Sequence, residues 1–189
     1  MPPSTLGQRE RLLEAAYRCV ARYGMAKTGM DDVAREAKLS RPTVYRHFPG
    51  GRDALLRDVV AWESARFVGE LTRAVGVHPD LHEALAELVC VAADRIASHV
   101  VLQKVLQTEP ERLLPMLVLQ TDRLIGLVKP FVLLAMQRAE LRPGLDVDRA
   151  AEHLARMLLS VVSSPGGWDV KDRDAVLAMV DRWLVGPLL

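Results

Sequence analysis

The feature that most constrains this chain is a helical spacing of apolar residues that recurs along almost its whole length. Leu12, Ala16, Cys19, Val20 and Tyr23 fall at i, i+4, i+7, i+8 and i+11, one stripe of an α-helix. Gly24 can close that helix in the left-handed conformation. Met30, Val33, Ala34 and Ala37 form a second, short stripe, and Val44 with Phe48 a third. After Pro49-Gly50-Gly51, a long helix is expected from Asp53 to about Val75, with Leu55, Leu56, Val59, Val60, Phe67 and Leu71 on its apolar side. His78-Pro79-Asp80 reads as a turn, and Asp80 can cap a helix over Leu81–Ser98. A short helix over His99–Gln107 follows, then one starting at Glu109-Pro110-Glu111, then a long one over Thr121–Glu140 that Pro130 is expected to kink or break. Beyond Arg142-Pro143-Gly144, one stripe is Val147, Ala151, Leu154, Leu158 and Val161. After a loop the last is Val176, Met179, Val180, Trp183 and Leu184.

No segment alternates as a half-buried strand would, and no internal repeat is present. These patterns predict an all-α fold of about nine helices. A small N-terminal domain is expected over residues 1–52 and a larger helical domain over 53–189. With 189 residues, 50% hydrophobic and 26% charged, the chain can bury a core and is too apolar to be disordered. The most apolar stretch, Met116–Met136, is interrupted by Asp122, Arg123, Lys129 and Pro130, which fits a core helix and not a membrane span. Met1–Glu10 holds no apolar run, so no secretory signal is expected. Cys19 and Cys90 lie far apart among apolar neighbours, without metal or redox spacing, and read as core thiols.

The net charge of +1 says little, but its distribution says more. Residues 1–60 hold eleven Lys/Arg against seven Asp/Glu, whereas the remainder holds fourteen against seventeen. A basic N-terminal third on a slightly acidic body suggests an anion-binding end.

That end contains two short helices joined by about three residues, the spacing of a helix-turn-helix. Ser40 stands where an N-cap belongs, able to accept from the Thr43 N–H, and Pro42 in the first turn costs little because those N–H groups have no intrahelical partner. At about 100° per residue, Val44 and Phe48 point into the domain while Pro42 and Arg46 point outward. Arg41 with Tyr45, and Thr43 with His47, form the flanks. The outer surface then offers cations, a phenol, a hydroxyl and an imidazole, groups suited to phosphates and base edges.

The run Met30-Asp-Asp-Val-Ala-Arg-Glu-Ala-Lys-Leu-Ser-Arg-Pro-Thr-Val-Tyr-Arg-His-Phe-Pro49 resembles the DNA-binding signature of the TetR family of transcriptional regulators. The resemblance covers about residues 8–62, and beyond them only length and helical layout match. It implies a homodimeric repressor in the bacterial cytosol, at the nucleoid, that binds a palindromic double-stranded operator and releases it on binding a small molecule. Carried over by position, Arg41, Pro42, Thr43 and Arg46 lie where the family reads bases or adjacent backbone. Tyr45 and His47 lie where it meets phosphates, and Arg52 near a usual phosphate-binding lysine. Lys27 and Thr28 are added as candidate DNA contacts.

Three positions depart from the family pattern. Gly29 stands where a Ser or Thr usually caps the second helix, and Thr28 with backbone N–H groups is expected to substitute. Lys38 stands where a turn glycine is usual; a left-handed lysine costs about 1 kcal/mol, which phosphate attraction can offset. Gly50-Gly51 adds a residue before Arg52, which shifts its alignment by one.

In the second domain, Trp62, Phe67, Met116, Phe131, His99 and Gln103 are candidates to line a ligand pocket, with His99, Gln103 and Gln107 forming a polar line at i, i+4 and i+8. The mostly apolar surroundings favour a hydrophobic or amphipathic ligand. The resemblance implies a four-helix dimer interface from the last two helices, and Leu154, Leu158, Val161, Val176, Val180, Trp183 and Leu184, ending at Leu188-Leu189, are its candidates. No Gly-rich phosphate loop, HExxH or GxSxG occurs, so neither an enzyme, a cofactor nor a metal is expected. His78 and His82, at i and i+4, lack a third ligand nearby.

Overall fold

A computed structural model describes residues 5–75, 80–137 and 139–186, and every regular element among them is a helix. His78, Pro79, Leu188 and Leu189 lie outside the described residues. The helices are α1 (Thr5–Tyr23), α2 (Met30–Ala37), α3 (Arg41–His47), α4 (Gly51–Val75), α5 (Leu81–Ser98), α6 (Val100–Thr108), α7 (Pro110–Val118), α8 (Thr121–Met136), α9 (Val147–Ser163) and α10 (Arg173–Met179). A π-helical segment, Val180–Val185, continues α10.

The chain forms two compact units. The first comprises residues up to Ser64 together with Val100–Gln120; the second comprises Ala65–His99 and the residues from Thr121 onward. In the first unit, Leu12, Leu13, Ala15, Ala16 and Cys19 of α1 pack on Val33, Ala34 and Ala37 of α2, on Val44, and on Phe48, with Leu55 and Val59 of α4 closing the cluster. Phe48 is 1% exposed, and burying a side chain of that size contributes about 1.5–3 kcal/mol. Burial pushes the Cys19 thiol above its ordinary value, and Glu36 and Asp32 add to the effect. Burial does the same to Cys90, and both cysteines are free. A second cluster joins Val20, Met25 and Leu56 to Val105 of α6 and Leu113 of α7.

In the second unit, Val68 and Leu71 of α4 pack with residues of α5, α8, α9, α10 and the π-helical segment. Asp80 caps α5 as its position predicts, accepting from the Glu83 N–H at 3.0 Å. That bond holds the Asp80 carboxyl below its ordinary value. Pro130 neither ends nor breaks α8, which continues to Met136. Pro130 and Gly126, whose carbonyl loses its partner, are both exposed, so water can satisfy that carbonyl.

One set of expectations is corrected here. Leu154, Leu158, Val176, Val180 and Leu184 are at most 7% exposed and belong to the core of their own unit. They cannot meet a second copy without unpacking that core. Their stripe on an amphipathic helix marks the inner face, and the outer face carries Met157 and Trp183, 36% and 60% exposed, with Val161 half-buried. The end of the chain also departs from a plain α-helix, since the Gly186 N–H bonds back to the Asp181 carbonyl at 2.8 Å. Tyr23, expected on the inner stripe of α1, is 45% exposed, with the Arg22 guanidinium over its ring.

Candidate nucleic-acid interface

The candidate recognition helix is α3, and its local chemistry follows the sequence closely. Ser40 caps it with extended backbone, its Oγ accepting from the Thr43 N–H at 3.3 Å. The two hydroxyls of Ser40 and Thr43 lie 2.8 Å apart and share a hydrogen bond. Val44 is 0% exposed and faces the core. Arg41, Pro42, Tyr45 and Arg46 are exposed, and Thr43 and His47 are half-buried. Arg46 forms no ion pair among the described residues, so its guanidinium stands with all its donors available. Arg41 is held differently: its Nε lies 2.5 Å from Oδ1 of Asp31 in the first turn of α2. The Nε2 of His47 is buried without a hydrogen-bond partner, so that nitrogen does not face outward.

The turn before α3 contains the one non-glycine residue among those described with a positive φ. Lys38 has φ 56° and ψ 42°, left-handed as its position predicts. Its N–H bonds to the Arg35 carbonyl at 3.2 Å, and the Leu39 N–H to the Ala34 carbonyl at 3.0 Å, which closes α2. The side chain is exposed and forms no ion pair among the described residues.

At the other end of α2, Gly29 has extended backbone and no side chain to offer, and the Asp32 carboxylate folds back to accept its N–H at 3.1 Å. Asp31 and Asp32 sit in the first turn, where the helix dipole favours them. Two expected contacts are corrected here. Thr28 is 1% exposed and its hydroxyl donates to the Gly24 carbonyl at 2.8 Å, so it does not substitute as an outward-facing cap. Arg52 turns its guanidinium onto backbone carbonyls of the loop between α1 and α2: Nε to Thr28 at 2.8 Å, Nη2 to Ala26 at 3.0 Å and also to Met25. A side chain with its donors so engaged positions the loop and is not presented to a phosphate. Lys27, in the same loop, is exposed and forms no ion pair among the described residues.

Sequence reasoning missed the residues that hold this loop from the other side. Glu109, which the sequence marks only as the start of a helix, accepts the N–H groups of Met25 and Ala26 at 2.9 and 2.6 Å. No local pattern could reveal a bond between residues 84 positions apart.

The six candidate pocket residues divide between the units. Trp62 packs edge-on against Tyr17 with ring centroids 6.3 Å apart, both half-buried against the core of the helix-turn-helix unit. Gln103 and Met116 are half-buried on α6 and α7 of the same unit. Phe131 is buried in the second unit's core, and Phe67 packs against it. His99 closes α5, its N–H bonding to the Ile96 carbonyl at 3.3 Å, so the line through Gln103 and Gln107 begins at a helix break. His82 faces Asp80 and Asp181, at 3.5 and 3.2 Å.

Residues 12–59 match the family described as bacterial regulatory proteins, tetR family. An uncharacterised HTH-type transcriptional regulator of Mycobacterium tuberculosis is 29% identical over 173 residues, covering 90% of this chain and 84% of its own length. The transcriptional repressor QsdR of R. erythropolis superposes with a TM-score of 0.66 at 19% identity, over 96% of each chain. The TetR family repressor AlkX of Dietzia sp. superposes at 0.63 and 22% identity, over 95% of this chain and 97% of its own. These two structures share the fold, a helix-turn-helix followed by a helical domain.

Proposed function

We propose that this chain, a transcriptional regulator of the TetR family and not an enzyme, works as a homodimeric repressor whose α3 enters the major groove of a palindromic operator. The observation that carries the reading is α3 itself. Its inner face is fixed by the buried Val44 and Phe48, while Tyr45 and the unpaired Arg46 project outward from a rigid base. A guanidinium in that place can fork onto guanine, and a tyrosine hydroxyl can meet a phosphate. Arg41, Pro42, Thr43 and His47 complete the surface, and Lys27 supplies charge at its edge. Two such helices in a dimer would lie about 34 Å apart or somewhat more, one turn of DNA.

Residues 1–52 then carry the DNA-binding helices and 53–189 the effector-binding and dimerisation functions, with residues 53–64 and 100–120 packing in the same unit as the DNA-binding helices. Dimerisation uses the outer faces of α9 and the C-terminal segment, where Met157, Val161 and Trp183 are among the described apolar groups left for a partner. The effector is a hydrophobic or amphipathic small molecule. Supporting this, every buried side chain described in the second unit is apolar. The effector acts by preferring a conformation whose two α3 helices misfit the operator. The site of action is the bacterial cytosol, at the nucleoid; among the described residues no helix is long and apolar enough to cross a membrane.

The test is a mobility-shift assay on a duplex selected by the wild-type chain from a random pool. Replacing Tyr45 and Arg46 together by alanine is expected to abolish the shift while leaving the helical circular dichroism intact. Unchanged binding refutes the assignment of α3, and a monomeric mass by light scattering at micromolar protein refutes the dimer.

A further inference from the structure

The loop from Gly24 to Gly29 is gripped by opposite charges. On one side the Arg52 guanidinium takes the carbonyls of Met25, Ala26 and Thr28. On the other the Glu109 carboxylate takes the N–H groups of Met25 and Ala26, one on each oxygen, at 2.9 and 2.6 Å. Glu109 stands at the N-cap position of α7, where a side chain ordinarily accepts from its own helix; it makes no such bond. Its carboxylate turns to the loop instead, with the Arg112 Nε 3.6 Å from one oxygen, and the side chain is only 14% exposed. Gly24 matches this arrangement twice over. It has φ 84°, and a Cβ built on it would overlap Oε1 of Glu109. Lys104 of α6 adds a further tie, donating to the Ala21 carbonyl at 2.9 Å near the end of α1.

We propose that Glu109 is a positioning residue for DNA binding, and that through it DNA affinity depends on where α7 sits. The proposal rests on the reading of α3 as a DNA-binding helix. The loop leads directly into Gly29 and α2, and α2 carries α3 through the short turn at Lys38. Backbone amides held by a charged acceptor fix the start of α2, and shorter, stronger bonds of this kind resist displacement more than neutral ones. A shift of α7 therefore drags the loop or breaks both bonds, and either changes how α3 is presented.

The experiment compares the full wild-type chain with Glu109→Gln, Gly24→Ala and the double variant, using a fluorescent duplex that the wild type selects from a random pool. Glu109→Gln is expected to bind this duplex about tenfold more weakly, the size that loss of a charged acceptor implies. Amide hydrogen exchange at Met25 and Ala26 should accelerate while exchange at Phe48 does not, a local change that general destabilisation does not produce. Gly24→Ala evicts the carboxylate, so the double variant should bind no worse than Gly24→Ala alone. Affinity of Glu109→Gln within about twofold of wild type, uniform acceleration of exchange, or additive losses in the double variant would each overturn the proposal. Should Glu109→Gln fail to fold, Glu109→Asp keeps the charge and withdraws it by one methylene, and the same exchange pattern decides. If the wild type selects no duplex, the DNA-binding reading falls and this one with it; wild-type binding with an unaffected Glu109→Gln overturns this one alone.

Discussion

Arg41, in the first turn of α3, reaches back to Asp31 in the first turn of α2, with Nε and Oδ1 2.5 Å apart and both side chains more than half exposed. The pair ties the two helices of the motif together and also occupies a cation on the proposed DNA surface. Exposed pairs of this kind contribute about 0–1 kcal/mol. Asp31→Asn should therefore cost little stability while freeing Arg41 and removing an acid from the surface. DNA affinity is expected to rise a few-fold at low salt and to converge on wild type as salt is raised. A titration of duplex binding against salt concentration checks both.

Lys38 offers a prediction in which stability and function move in opposite directions. A left-handed lysine costs about 1 kcal/mol relative to a glycine free to adopt that conformation. Lys38→Gly should raise the melting temperature by about 2–4 °C for a chain of this size. If the lysine offsets its strain by meeting a phosphate, the same change lowers the salt slope of DNA binding by about 0.9, one phosphate's share. A stabilised variant with an unchanged slope would show that the charge is not used.

Arg52 separates a structural role from an electrostatic one. Arg52→Gln removes bonds to three carbonyls. Hydrogen bonds to a charged group contribute about 1.5–3 kcal/mol. The change should lower the denaturation midpoint clearly and leave the salt slope of DNA binding unmoved. A direct phosphate contact predicts the reverse, a smaller slope with little change in the midpoint.

The two faces of the C-terminal helices can be told apart by substitution. Leu154 is 0% exposed, and Leu154→Ala is expected to cost about 2–5 kcal/mol of unfolding free energy. Trp183 is 60% exposed, and a surface substitution ordinarily changes stability by no more than about 0.5 kcal/mol. Trp183→Ala with Met157→Glu should spare the folded monomer and shift the mass seen by light scattering from dimer towards monomer.

The sequence by itself determined the helices of the motif and the chemistry of α3. Those depend on residues within a few positions of one another: Ser40 capping Thr43, Val44 and Phe48 one turn apart on the inner face, Lys38 forced left-handed by the end of α2. Helical periodicity likewise found the stripe Leu154, Leu158, Val176, Val180. A stripe reports only that a face is buried, however, and not what buries it; tertiary packing assigned that face to the core of its own unit. Only the folded chain brought Glu109 and Arg52 to the loop at Met25 and Ala26. Bonds between a side chain and a distant backbone leave no periodic trace, because any residue at Met25 or Ala26 other than proline has the same N–H to give. For the same reason the sequence offers Arg52 as a phosphate contact, and only the folded chain supplies the carbonyls that occupy it.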